Sequence, residues 1–531
     1  MRCALSCARL LLPPASLGLL SLFWLANLCP ARAGDARDAQ QDFPQSLPAT
    51  LHQLTDVGGL RSQLDRRGLS FIFSYYGDAF DNPFGGVKQG PGYDGRFSII
   101  MDGDLEKLAG WSGANFHASV LSIFGTQYSA ANLDNLMLVS NIEAQPTIRL
   151  FNLWIEQDLT KQVSLRVGQF TGAQEFIVSK NADLFVNSSF GWPMLNTQNL
   201  PSGGPNYPEA ALGARLQVTF NDQFILRAAI FDGDPAGSGS NNPLTSDKYG
   251  VAFRVNDPPF MIIEAVYGYG GARLIGAQQN PNQEGDGMPA VEEAGPRLAA
   301  SPSALPGVVK IGAWYNAGSF PLQDFTQSGT LPPQRPGDAA VYGLFEQTLW
   351  RLPGSPNRAL GFFARGAVAP SDRSEFDRYV DTGFTFRGPL ARRPEDIFGI
   401  AFAYGRISPD AAANDRALAA LTGTPMPIRD YEAAIELSYR WEIADRFFVQ
   451  PDLQFIFHPG ANIANPRSGE RLSYSERAGA GAADRAAVLT SQRGDLSAAV
   501  GEARRSQSSP PDRAKKRTTP ALQCASVLAT L

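Results

Sequence analysis

Residues 147–170, TIRLFNLWIEQDLTKQVSLRVGQF, alternate oily and polar side chains along two arms joined by Thr160-Lys161-Gln162. Side chains of a strand point to opposite faces with a period of two. Phe151, Leu153 and Ile155 therefore share one face of the first arm, with Asn152, Trp154 and Glu156 on the other. In the second arm Leu165 and Val167 oppose Ser164, Arg166 and Gly168. The register that respects both alternations sets Glu156 across from Arg166 and Trp154 across from Gly168. One oily and one charged face suits either a soluble sandwich or a membrane barrel. Length, repetition and targeting decide between them.

Charged residues make up 18% of the 531-residue chain, and no internal run approaches the roughly 20 apolar residues that a spanning helix requires. A helical membrane protein is excluded. A formal net charge of −5 and the lack of a basic stripe with interleaved aromatics make nucleic acid an unattractive partner. Arg2 and Arg9 precede an apolar run, Leu10 to Leu28, and Ala31-Arg32-Ala33 supplies a small-x-small cleavage site. Residues 1–33 read as a signal peptide. Cys3, Cys7 and Cys29 lie within it and Cys524 lies near the end, so the exported body has no disulfide framework. Closed strand pairing in a bilayer is one alternative means of holding such a body together.

Residues 34–69 read as a periplasmic leader with a short helix between Ser46 and Gly68, interrupted by a Gly pair. From residue 70, alternating segments of roughly ten residues recur, as in outer-membrane barrels. They are Ser70–Tyr76, Gly95–Asp102, Ala114–Phe124, the two arms above, Leu212–Phe220 with Gln223–Phe231, and Tyr249–Val255 with Phe260–Tyr269. Val308–Asn316, Ala340–Trp350, Ala359–Ala367, Arg378–Phe386, Asp396–Ile407, Tyr431–Trp441 and Phe447–Phe457 complete the series. Short turns alternate with long Gly-, Pro-, Asn- and Gln-rich connections at 188–209, 271–306 and 318–338, and with 408–430, which carries one or two helical turns. The expected fold is all-β: a transmembrane antiparallel β-barrel of about 16 strands over residues 70–466, with short periplasmic turns and long extracellular loops. Residues 467–531 are rich in Ala, Arg and Ser, contain no Phe or Trp, and read as a disordered tail.

With the oily face turned outward, the hairpins specify an inner surface. Trp154, Glu156 and Arg166 come from the first, Arg215 and Arg227 from the second, and Arg254 with Glu264 from the third, where the last two come out roughly opposite each other. Lys310, Trp314, Glu436, Arg440, Gln450, Asp452 and Gln454 are later inward candidates. Guanidinium and carboxylate groups together match adjacent sugar hydroxyls, and a ring face packs against the C–H face of a pyranose. Mixed charge also weakens any preference for ions of one sign. Enzyme signals are thin. His52, His117 and His458 lack metal-ligand spacing, Gly268-Tyr269-Gly270-Gly271 lacks the full dinucleotide fingerprint, and nothing places Glu346 beside Glu436 as a glycosidase pair would require. No cofactor is expected.

Several short motifs then carry a family likeness in order from about Leu54 to Pro466. They include Gly59-Leu60-Arg61, Asp102-Gly103-Asp104-Leu105-Glu106, Trp111-Ser112-Gly113-Ala114, Leu153-Trp154-Ile155-Glu156-Gln157, Leu165-Arg166-Val167-Gly168-Gln169, Asn206-Tyr207-Pro208, Lys310-Ile311-Gly312-Ala313-Trp314-Tyr315, and Gln450-Pro451-Asp452-Leu453-Gln454. The sequence resembles the carbohydrate-selective porins of Gram-negative outer membranes, the OprB family. The resemblance implies a sixteen-stranded barrel that admits glucose and related sugars by passive or facilitated diffusion, narrowed by inward loops and by lumen Arg and Glu. Trp154, Glu156 and Arg166 fit those roles best. Alternation puts Arg149 on the lipid side near a rim unless a bulge intervenes. Members of the family end on a strand with an aromatic last residue. The chain ends at Leu531 in the atypical tail, for which loss of the coding frame shortly after Pro466 is the expectation. The implied partners are a carbohydrate solute and outer-membrane lipid, with homotrimer assembly left open. A general or anion-preferring porin and a secreted β-rich enzyme acting on glycans are the competing readings.

Overall fold

The computed structural model describes residues 57–237, 243–272, 274, 305–324, 332–353, 355–423, 426–444, 447–463, 485–491 and 527–530. The stretch read as a signal peptide, His52 and the four cysteines lie outside them. A short helix, Leu60–Arg66, leads into the first strand. The strands are β1 Leu69–Asn82, β2 Gly90–Asp104, β3 Ala114–Gly125, β4 Thr147–Asp158, β5 Val163–Phe170, β6 Ala211–Asn221, β7 Phe224–Phe231, β8 Phe260–Tyr269, β9 Gly307–Pro321, β10 Gln334–Leu352, β11 Ser355–Val368, β12 Phe376–Arg387, β13 Ile397–Ile407, β14 Tyr431–Ala444, β15 Phe447–Val449, β16 Asp452–Phe457, β17 Arg485–Ser491 and β18 Val527–Thr530.

From β1 to β14 each strand pairs antiparallel with the next. β15 and β16 both pair with β14, as one stave broken at Gln450-Pro451, where Pro has no N–H to give a ladder. β17 then lies between β16 and β1, with Asp452 opposite Thr490 and Phe80 opposite Thr490. β18 lies between β15 and β1, with Phe448 opposite Leu528 and Gly77 opposite Val527. The pairing thus returns to its first strand, and the sixteenth stave is made of two segments laid end to end. Two stretches of the tail expected to be disordered are therefore strands. The open ladders of β1 and β16 offer unpaired peptide groups, and AAVLT and VLAT carry the β-branched residues that suit a pleat.

A second correction concerns Tyr249–Val255, which is not a strand. Gly250 and Phe253 sit at φ +67° and +47°, outside the extended region, so β7 pairs directly with β8. The segment instead packs across the outer mouth, where Leu150 N donates to Tyr249 O and Gln169 Nε2 to Gly250 O.

The alternation resolves the choice between sandwich and barrel. Leu153, Ile155, Val167, Leu216, Ile230, Ile263, Ile311, Val341, Val368, Phe384 and Ile400 all project outward and exposed from β4 to β13. A soluble protein rarely leaves so continuous an apolar belt uncovered. Their in-facing neighbours are buried, because two long connections, residues 126–146 and 171–210, fold into the barrel and supply Met137, Phe176, Phe185, Phe190, Trp192 and Leu195 to an interior cluster. A bulge in β4 resets the alternation. Leu153 pairs with Ala118 but Leu150 with Val120, so Phe151 and Asn152 both turn inward. Phe151, assigned from sequence to the oily face, is therefore fully buried, and the same bulge brings Arg149 inside, where its Nη1 lies 3.5 Å from Glu209 Oε1.

A chain truncated after residue 484 loses both halves of the sixteenth stave and leaves two ladders open. It is expected to give no folded, heat-modifiable band on unboiled gels, whereas the full chain migrates as a compact species.

Candidate functional site

The inner face of the first hairpin is as alternation requires: Trp154 pairs with Gly168 and Glu156 with Arg166. Gly168 holds φ +146°, and a Cβ there would come within 2.8 Å of Trp154 Cβ and 2.3 Å of Leu153 O. A side chain there would collide with the backbone of the paired strand, so only glycine fits. The ring is stacked on both faces. His117 lies parallel to it at 5.0 Å and is bonded through Nδ1 to Asp102 at 2.7 Å, while the Arg166 guanidinium sits 3.7 Å from the ring centroid on the other side.

Arg166 continues this column into a closed set of four charges. Its Nε and Nη2 donate to Glu156 Oε2 at 2.9 and 2.6 Å, and its Nη1 donates to Glu175 Oε1. Arg215, the next residue round the wall, donates to Glu156 Oε1 and Oε2 at 3.2 and 3.0 Å and to Glu175 Oε2 at 3.2 Å. Arg227 bonds Gln217 Oε1 and the Glu175 carbonyl at 2.7 and 2.8 Å. Glu175 is the one member from outside the strands, and it ties the start of the inward loop to β4–β7. Burial opposes its ionisation, but Arg166, Arg215 and Arg227 together outweigh that and hold its carboxyl at about 2.

The rest of the inward loop is held by the same logic, with wall carboxylates taking its N–H groups. Glu264 accepts from Ile177 N at 2.8 Å. Glu346 accepts from Ser179 Oγ and Asn181 N at 2.7 and 2.9 Å, and Glu436 from Val186 N and Asn187 N at 2.7 and 2.9 Å. Glu432 does this for residues 126–146, accepting from Leu136 N and Met137 N. Wall donors take the carbonyls. Arg365, itself paired with Asp381, donates to Ile177, Ser189, Phe190 and Gly191 oxygens at 2.7–3.2 Å. Lys310 Nζ donates to Val178 O at 2.7 Å, Gln450 Nε2 to Leu184 O at 2.6 Å, and Gln454 Nε2 to Val139 O at 2.8 Å. Trp314 Nε1 donates to Asn196 Oδ1 at 2.9 Å.

Trp154, Glu156, Arg166, Arg215, Arg227 and Glu264 therefore lie on inward strand faces and converge on one loop. They are nearly all buried beneath it rather than spread along a water column. Arg254 does not join them. It sits in the outer connection, 2.7 Å from Asp257 Oδ2, because its segment is not a strand, and the cross-strand partner of Glu264 is Arg227. Glu346 and Glu436 anchor different parts of the loop and do not form a catalytic pair. Sequence reasoning missed Glu175, which no strand pattern covers, and Arg365, which shares its face with Phe363. The match of Arg365 with Asp381 across β11 and β12 was the available signal.

The chain matches the family described as carbohydrate-selective porin, OprB family, over residues 88–490. It is 23% identical to Porin B of Pseudomonas aeruginosa over 456 residues, covering 80% of this chain and 90% of that protein. It is 21% identical to the putative porin QuiX of Acinetobacter baylyi, covering 76% of this chain and 88% of that protein. The high-pH structure of Pseudomonas putida OprB superposes with a TM-score of 0.67 at 20% identity, over 82% of this chain and 96% of that one.

Replacing Arg365 by Met strands Asp381 and four loop carbonyls in a dry interior. It is expected to cost about 3–5 kcal/mol in urea unfolding. Glu175 gives a pH signature. Because its folded pKa lies below the unfolded value near 4.3, the stability it contributes is present above about pH 4 and is lost as pH falls through about 2. Compared with E175Q, the wild-type protein should show the steeper loss of unfolding free energy across that window.

Proposed function

The chain belongs to the carbohydrate-selective porins of the OprB family and forms a carbohydrate channel in the outer membrane of a Gram-negative bacterium, and we propose that it passes glucose-like sugars by passive or facilitated diffusion through an aperture set by the inward loop. It is not an enzyme. The observation that carries this reading is the loop itself. Residues 171–210 cross the barrel interior and are pinned to the wall at Glu175, Ile177, Asn181, Val186 and Phe190. A loop fixed at so many points narrows the passage to one size instead of a range. Solute selection then depends on its edge and on polar wall groups of both signs.

In this reading Trp154, Glu156, Arg166, Arg215, Arg227 and Glu264 act as the sugar-selective part of the wall. Nearly all buried beneath the loop, they act on the solute indirectly, by fixing where the aperture's rim lies. Arg254 contributes at the outer mouth, where sugars first arrive. Assembly into trimers would leave this path unchanged, since each barrel carries its own loop.

Liposomes carrying the full chain are expected to swell in glucose and to swell more slowly as the sugar lengthens, while protein-free liposomes do not swell. Equal rates for glucose and for much larger oligosaccharides would overturn the fixed aperture. Faster uptake of a charged solute of glucose's size would instead favour the anion-preferring reading.

A further inference from the structure

Val380, Phe384 and Ile400 turn outward to lipid from β12 and β13, yet two guanidiniums, of Arg378 and Arg406, share that face with them. The register sets the two arginines directly opposite each other, two residues beyond the pair of Val380 and Tyr404. Of the Arg378 side chain 64% is uncovered, and of Arg406 31%. They stand where β12 begins and β13 ends, on the side of the barrel from which connections 126–146 and 171–210 fold inward. Long connections mark the cell exterior. Tyr431 pairs with Arg406 from β14, and its ring centroid lies 5.3 Å from that of Tyr404. Aromatic rings form girdles where hydrocarbon gives way to headgroups, so the two arginines stand at headgroup height in the outer leaflet.

Like charges directly opposite each other across a ladder repel. The chain answers half of this. A bulge between Phe376 and Arg378 takes Asp377 out of the alternation. Its Oδ1 accepts from Arg406 Nε at 2.9 Å and its Oδ2 from Arg406 Nη2, a forked contact that matches one cation with one anion. Arg378 is left with its Nε 3.9 Å from Asp377 Oδ2, and among the described residues its guanidinium donates no hydrogen bond. Across the ladder on its other side stands Val368, which offers no counter-charge. Two cations against one anion leave one positive charge on a face turned to the membrane, and its fork of donors points away from the protein.

We infer that Arg378, with Arg406 beside it, holds a phosphate of an outer-leaflet glycolipid, so that this seam of the barrel carries a bound lipid. Phosphate oxygens match the guanidinium fork in shape and charge. Directly beneath the cations, Val380, Phe384 and Ile400 offer acyl chains an apolar strip that a free phosphate ion would leave bare. The inference rests on the outer-membrane placement of the barrel and is independent of the solute that passes through it.

The test titrates the full chain in dodecyl maltoside micelles with diphosphorylated lipid A, with its dephosphorylated form and with inorganic phosphate, and reads the bound species by native mass spectrometry. The wild-type chain should hold the diphosphorylated lipid about tenfold more tightly than the dephosphorylated one. R378Q removes the free fork and leaves Arg406 on Asp377, and it should weaken the diphosphorylated lipid about tenfold while sparing the dephosphorylated form. D377N removes the competing carboxylate and should tighten the diphosphorylated lipid. Equal affinity for the two lipids in the wild type, or unchanged affinity in R378Q, overturns the site. Inorganic phosphate bound as tightly as the lipid overturns the lipid assignment. If R378Q does not give the compact species on unboiled gels, D377N decides alone, and no gain in affinity there overturns the inference.

Discussion

Peptide groups of an irregular segment cannot lie inside a barrel unless each finds a partner there, because neither a regular ladder nor bulk water is at hand to satisfy them. That requirement organises this interior. Carboxylates on the wall meet the loop's N–H groups, and guanidinium, ammonium and amide groups meet its carbonyls. The buried charges are thus only partly partners of one another. Glu346, Glu432 and Glu436 each close hydrogen bonds from loop backbone, and Arg365 spends most of its donors on four loop carbonyls while Asp381 balances its charge.

The Glu156, Glu175, Arg166 and Arg215 set has a different character. A lone buried ion pair barely recovers the cost of removing its charges from water. Two carboxylates alternating with two guanidiniums give every charge two opposite neighbours, and forked donors hold the geometry. Trp154 closes one side of this array and is itself backed by His117. Since Glu175 belongs to the loop and the other three to the wall, the electrostatic term that stabilises the array also fixes where the aperture begins.

What could be read from the residues follows the reach of each interaction. Strand alternation is local, so the opening hairpin, its register and the inward faces of β4–β9 were legible, as was the family. Departures arise where a single backbone angle or a distant partner decides. The bulge that turns Phe151 and Arg149 inward depends on the ladder with β3. Tyr249–Val255 alternates as a strand does, but Phe253 at a positive φ and the contact of Gly250 with Leu150 hold it across the mouth. The closing stave was illegible because its strand character comes from the edges waiting for it. Glu175 lies in a connection, where no periodicity marks which side chains will matter.

The two-piece sixteenth stave bears on how the molecule comes to be. β18 joins β1, so the seam that seals the cylinder is stitched between the opening and the final segments of the chain. Of all the contacts in the fold these bridge the longest span of sequence, and the entropy lost in bringing such distant segments together is correspondingly large. Every other stave can zip onto a neighbour only a hairpin or one loop away. Sealing therefore carries the largest loop-closure cost of any pairing described, and it requires both pieces of the stave to lie in register.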